Sequence, residues 1–225
     1  MPGLRVEPSK LRAMNKENKY IQSIKTLMGE GLEARAVKYH AGHDGCEGVN
    51  ANIYHKNKKV AEVHDDARGG CLEIRYTARG PHRHDKEGPT YRSEISRIKD
   101  SLESYPWDIK GVEIDGLCEW DEDHIYNKLI EIYDSKKELK KLLKYRILYR
   151  DRHDDLNLGD IRMQSFKSRA TGKRVVITHE HIERFLQEHS EAPESKDILN
   201  LWDFDKTLLF WIEWTSSEES SRTAR

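Results

Sequence analysis

Imidazoles and carboxylates gather in three short clusters between positions 40 and 84: His40, His43 and Asp44, then His64, Asp65 and Asp66, then His82 and His84. Neutral imidazole with carboxylate is the ligand set of zinc, manganese or iron, and a metal-activated water would hydrolyse a phosphodiester or an amide. On this reading His40, His43, His64, His82 and His84 are the candidate metal ligands, with Zn or Mn as the ion. The spacing is HxxHD and not the HExxH of zinc hydrolases, and acids and glycines of this kind also build ordinary turns. No catalytic residue is therefore assigned, and the reading that needs no cofactor is preferred. Asp65-Asp66 followed by Gly69-Gly70 has the composition of a ligand loop as well as of a reversal. The binding candidates are accordingly His43, Asp44, Asn50, Asn52, Asp65, Asp66, Gly69 and Gly70. Cys46 and Cys71 rank lower as nucleophiles because no histidine base is fixed beside either.

The elements that must hold these clusters are strands. Val49, Ala51 and Ile53 alternate with Asn50, Asn52 and Tyr54, the period of a half-buried strand, so both asparagines share a face with Tyr54. The polar link 55–58 then turns the chain into Lys59–His64, and the run 65–70 turns it again into Cys71–Tyr76. Ala34–His40 supplies a strand before them. The predicted fold class is α+β: an antiparallel β-meander over about residues 34–76 with packed helices, and a second, C-terminal hairpin-helix-strand unit.

His43-Asp44-Gly45, Asn50-x-Asn52-Ile53-Tyr54, Lys58-Lys59-Val60 and Asp65-Asp66 with Gly69-Gly70 together resemble a loose group of small phage and bacterial mobile-element proteins. The likeness covers roughly residues 37–76, with a fainter echo near 139–200. That group has no assigned activity, so the resemblance implies a type of genome and not a reaction.

Elsewhere the pattern is helical or looped. Ser9–Met28 has apolar residues near helical spacing and a Gly29-x-Gly31 stop; 77–89 reads as an exposed loop; Thr90–Tyr105 suits a helix ended by Pro106. The stretch 107–120 reads as irregular or a short strand. Asp121-Glu122-Asp123 opens a helix to about Lys144, whose last turns are basic, as the macrodipole favours. Residues 146–150 and 160–166 form a second hairpin, 168–174 a basic turn, and Thr178 caps a helix through Ser190. The apolar finish, 198–202 and 207–214, reads as closing strands before a frayed tail. The domain reading is 1–33 as an N-terminal helical extension, 34–106 as a sheet module with its following helix, 121–215 as a C-terminal α+β module, possible as one continuous domain with the first, and 216–225 as tail.

Composition narrows the function classes. Acids number 40 against 39 Lys and Arg, a net charge of −1, so a nucleic-acid surface requires local segregation of charge. Lys58, Lys59, Lys140, Lys141, Lys173 and Arg174, with Tyr145 and Phe166 nearby in sequence, are its candidates. Three scattered cysteines without a CxxC spacing suit a reducing compartment, and no apolar run approaches membrane-spanning length. A cytoplasmic protein that does not enter a membrane is expected. The preferred function is a non-enzymatic effector that occupies a host protein surface, for example to inhibit a defence system, with Trp107, Trp120 or Trp202 as anchors if exposed. A metal-dependent hydrolase or nuclease and a nucleic-acid binder are the alternatives. The sequence leaves the oligomeric state open.

Overall fold

The structure is a computed structural model that describes residues 20–42, 45–68, 71–77, 87–102, 105–109, 112–118, 120–151, 160–168, 170–188 and 194–223. The chain divides into two compact units, Met1–Tyr133 with Glu219–Arg225, and Asp134–Glu218, the division falling inside one long helix.

In the first unit helix α1 (20–29) leads into strands β1 (Leu32–Ala41), β2 (Glu47–His55), β3 (Lys58–Asp65) and β4 (Glu73–Tyr76), paired antiparallel in that order. The α+β class with an antiparallel meander is thus the architecture. His55 and Lys58 pair across a two-residue turn whose Lys56 and Asn57 both have positive φ (47° and 66°), the turn that matches strand twist. Leu32, Ala34, Val49, Ala51, Ile53, Ala61 and Val63 are buried on one face of the sheet. Removing a side chain such as Ile53 from water contributes about 1.5–3 kcal/mol.

Helix α2 (Glu87–Ser101) buries Ile95 and Ile98, and the stretch read as irregular or a short strand lies in a hairpin, β5 (Tyr105–Ile109) with β6 (Val112–Cys118). Asp121 caps α3 (Glu122–Tyr145) by accepting from the His124 N–H at 2.7 Å. The next acids do more than complement the helix dipole. Asp123 accepts from the Leu72 N–H at 3.1 Å, and Glu122 accepts from the hydroxyls of Tyr76 and Tyr126. The start of α3 therefore holds β4 in place.

In the second unit β7 (Arg146–Asp151) pairs with β8 (Asp160–Ser165), α4 (His179–Glu188) follows, and Ile147, Ile182, Phe185 and Ile198 pack together. The helix expected from Thr178 begins there: the Thr178 hydroxyl meets His181 Nδ1 at 2.6 Å. Asn200 accepts from the Leu148 N–H (2.7 Å) and donates to the carbonyls of Leu143 (3.2 Å) and Arg146 (3.0 Å), joining α3 to β7.

The closing strands are the correction. Ser195–Asp197 and Leu199–Leu201 are 3-10 turns, and Phe204–Thr223 is a helix, α5, that continues over residues read as a frayed tail. Only Ile198 bridges to a strand, opposite Tyr149. The run from Thr207 to Trp214 is too uniformly apolar to declare a period. Its helix was announced one turn earlier, where the Asp203 carboxylate accepts from the N–H groups of Asp205 (3.0 Å) and Lys206 (3.2 Å).

Candidate functional site

The face of the four-stranded sheet opposite the core is polar throughout. The register places Asn50 opposite His64, Asn52 opposite Glu62, His64 opposite Glu73, and Glu62 opposite Arg75. On the other flank Lys38 stands opposite Asn50, His40 opposite Gly48, and Arg35 opposite Asn52. A shallow cavity of about 480 Å³ opens here, lined among others by Ala36, Lys38, Asn50, Asn52, His64 and Arg75.

Two backbone features aim this face. Between Arg35 and Lys38 the pairing with β2 slips by one residue, and Ala36 adopts φ 54°, the left-handed region that a side chain ordinarily avoids. The slip reverses the alternation of β1, so Lys38 and His40 join Arg35 on the polar face; without it they would point the other way. Gly48 is the second feature. A Cβ built there would stand 2.5 Å from His40 Nε2 and 2.5 Å from the Asp65 carbonyl oxygen, so the His40 ring lies in the space a side chain would fill.

The seated ring belongs to a three-residue array. The His40 and His64 rings are stacked, with centroids 5.5 Å apart and planes 8° apart, and the Asn50 amide joins both. Its oxygen accepts from His64 Nδ1 at 2.6 Å, and its NH2 donates to His40 Nδ1 at 3.3 Å. An amide oxygen only accepts and an amide nitrogen only donates. Hence, in the neutral rings, His64 carries its proton on Nδ1 and His40 carries its proton on Nε2.

The rest of the face is ordered by charge. Arg35 bonds Glu33 and the Asn57 side-chain oxygen (2.6 Å), and its guanidinium lies 4.3 Å from the Tyr54 ring centroid. The bond to Glu33 raises the Arg35 pKa. Lys59 donates to Glu62 and holds its carboxyl below the ordinary range, and Arg75 pairs with Glu73 at 2.7 Å. Lys38 has no hydrogen-bonded or charged partner among the described residues.

Of the metal candidates, His40 and His64 come together; His43, His82 and His84 lie outside the described residues, as do Asp44, Gly69 and Gly70. Among the described residues no group of three or more His, Cys, Asp or Glu side chains is arranged to hold a metal ion. The two imidazoles that meet direct their Nδ1 atoms at an amide. Asp65 and Asp66 shape a turn: Asp65 accepts from the Ala67 N–H (2.8 Å) and Asp66 from the Arg68 N–H (3.1 Å). That turn meets the β1–β2 turn, since a Cβ on Gly42 would lie 2.3 Å from the Ala67 Cβ. The loops around 42 and 66 do converge, as the clustering in sequence suggested. Cys46 and Cys71 are exposed and free.

The basic candidates fall in both units. Lys58 and Lys59 begin β3; Lys140 and Lys141 lie on α3, with Lys140 5.4 Å from the Phe204 ring centroid; Lys173 and Arg174 lie in the turn after β8. Among the tryptophan anchors, Trp120 is core, 2% exposed, and Trp202 donates its indole N–H to the Lys196 carbonyl at 2.8 Å. Trp107 has its side chain outside the described residues. The sequence puts Asn50 and Asn52 on one strand face and expects His40 and His64 in converging loops; the structure places all four on the polar face together with Arg35, Lys38 and Gly48, and Lys38 and His40 reach it only through the bulge.

The chain matches no family model, no curated protein and no solved structure. Among the described residues no helix is long and apolar enough to cross a membrane.

Proposed function

We propose that this is a non-enzymatic binding protein whose recognition surface is the polar face of the four-stranded sheet, and that its partner is a protein surface presenting a carboxylate to Lys38. One observation carries the reading. A left-handed alanine and a glycine seat are used to direct Lys38 and His40 outward, where they add nothing to the core. A backbone outlier of this kind, kept where a regular strand would be more stable, is a sign of function. The array it creates is held before any partner arrives, which lowers the entropy lost on binding. Polar groups fixed by one another and open to solvent suit recognition; the chemistry of a nucleophile or a metal-bound water is not needed to account for them. The resemblance of residues 37–76 to phage and mobile-element proteins directs the search to proteins of a bacterial host, those of defence systems included.

The test uses two baits in parallel, the unaltered chain and a variant with Lys38→Glu and Asn52→Lys, both on the solvent side of the sheet. The expected result is a stoichiometric host partner retained by the first and lost by the second, with equal thermal midpoints. A partner retained equally by both would move the interface elsewhere, and none retained by either would reject the reading.

A further inference from the structure

For nineteen residues between Asp160 and Glu180 the chain has no acid, while Arg162, Lys167, Arg169, Lys173 and Arg174 fall within the same stretch. Signs interleave closely in most of the remainder, so this is the segregation of charge that the balanced totals conceal. In the second unit the stretch extends β8 into a two-stranded ribbon. The Val175 N–H donates to the Phe166 carbonyl at 3.0 Å, the Ser168 N–H donates to the Lys173 carbonyl at 2.9 Å, and Lys167 stands directly opposite Arg174. The two bonds flank this pair and do not join it, which makes it the close-approach kind, with Cα atoms about 4.5 Å apart and side chains on one face. Like charges so placed oppose formation of the ribbon.

Nothing in the described fold offsets that repulsion. Lys167, Lys173 and Arg174 are exposed, and their side chains have no hydrogen-bonded or charged partner among the described residues. The lysines near the end of α3 differ, since Lys140 lies over Phe204, Lys144 over Tyr145, and the helix C-terminus favours both. The ribbon's cations have no such explanation within the fold, and a row of phosphates would supply one.

We infer that the ribbon formed by residues 166–168 and 173–175 is a contact surface for the phosphodiester backbone of a nucleic acid. A two-stranded ribbon is narrow enough to enter the major groove of a duplex, and its cations would release counterions on binding. The inference does not rest on the sheet-face reading, because its residues lie in the other unit.

The test is fluorescence anisotropy of the full chain with a labelled duplex, its single strand, and vesicles of anionic phospholipid as separate arms. With three cations engaged, affinity is expected to fall roughly 40-fold for the duplex, or 20-fold for the single strand, between about 50 and 200 mM salt. The double variant Lys173→Ala, Arg174→Ala is expected to bind more weakly and to lower the logarithmic salt slope by about two. Its thermal midpoint is expected to be unchanged or higher, since the opposed like charges are gone. Should that variant melt early, Lys167→Gln alone, with a slope change of about one, takes its place. The stronger oligonucleotide arm identifies the strand form. Binding to neither oligonucleotide, binding to vesicles alone, or an unchanged salt slope in the variants would overturn the inference.

Discussion

Asn50 can bond two imidazoles at once only if they present opposite faces of their chemistry, one N–H and one lone pair. The array therefore makes an expectation at single-atom resolution: at a pH where both rings are neutral, nitrogen NMR should show His64 protonated on Nδ1 and His40 on Nε2. The same tautomer in both rings would mean that the amide does not join them. Gly48 is what allows the arrangement. Gly48→Ala would push against the His40 ring and the Asp65 carbonyl and is expected to destabilise the protein by about 1–3 kcal/mol, read from denaturant midpoints at unchanged slope. A loss near zero would show that the seat is not tight. At this scale the sequence was informative about residue type and poor about aim. Asn50 and His64 are visible as polar residues on alternating strands, whereas Lys38 and His40 share the face of Arg35 only because of a bulge that leaves no mark in hydrophobic periodicity. Asn200 is the same lesson in the second unit: its three backbone partners are set by tertiary approach, and its neighbours in sequence announce nothing.

The elements divide by how their hydrophobic pattern repeats. The four strands of the meander, α3 and the β7–β8 hairpin were legible because alternation, helical spacing and turn residues agree there. The C-terminal helix was not, since its apolar run has no polar face to set a phase. Within β1, Ala36 is held at positive φ against a steric cost of about 1–2 kcal/mol, while glycine would lose about 0.5–1 kcal/mol more backbone entropy on folding. Ala36→Gly is thus expected to stabilise by about 0.5–1 kcal/mol and to keep the face intact; a clear loss of stability would mean that the bulge is not strained. A second element-level expectation concerns acid. Arg97 on α2 bonds Glu30, after α1, and Glu94, with Lys56 of the β2–β3 turn 3.6 Å from Glu94. Hydrogen bonding to Arg97 lowers the pKa of both carboxyls from the ordinary 4.5. A depressed carboxyl pKa contributes stability that is fully present above 4.5 and is lost as pH falls through the folded-state value. Urea titrations should therefore show stability declining below pH 4.5, and Arg97→Ala should flatten that decline. An equal decline in the variant would place the acid sensitivity elsewhere.

Each compact unit carries one proposed binding surface, a preorganised polar face in the first and a cationic ribbon in the second. Their energetics differ. Most groups of the sheet face are already paired with one another, Lys38 and Asn52 excepted, so affinity there depends on shape and on one new ion pair, and salt should weaken it little. The ribbon is unpaired and should respond steeply to salt. Overall charge balance hid this contrast, because 39 bases and 40 acids say nothing about where a nineteen-residue gap in the acids will fold. The reading of the sheet face as the recognition surface is tested most directly by photo-crosslinking in bacterial cells, with a benzophenone amino acid placed in turn at Asn52, at Glu62 and, for comparison, at Lys141 on α3. The expected result is one discrete adduct shared by positions 52 and 62 and missing at 141. An adduct from 141 alone, or none from either sheet position, would contradict it.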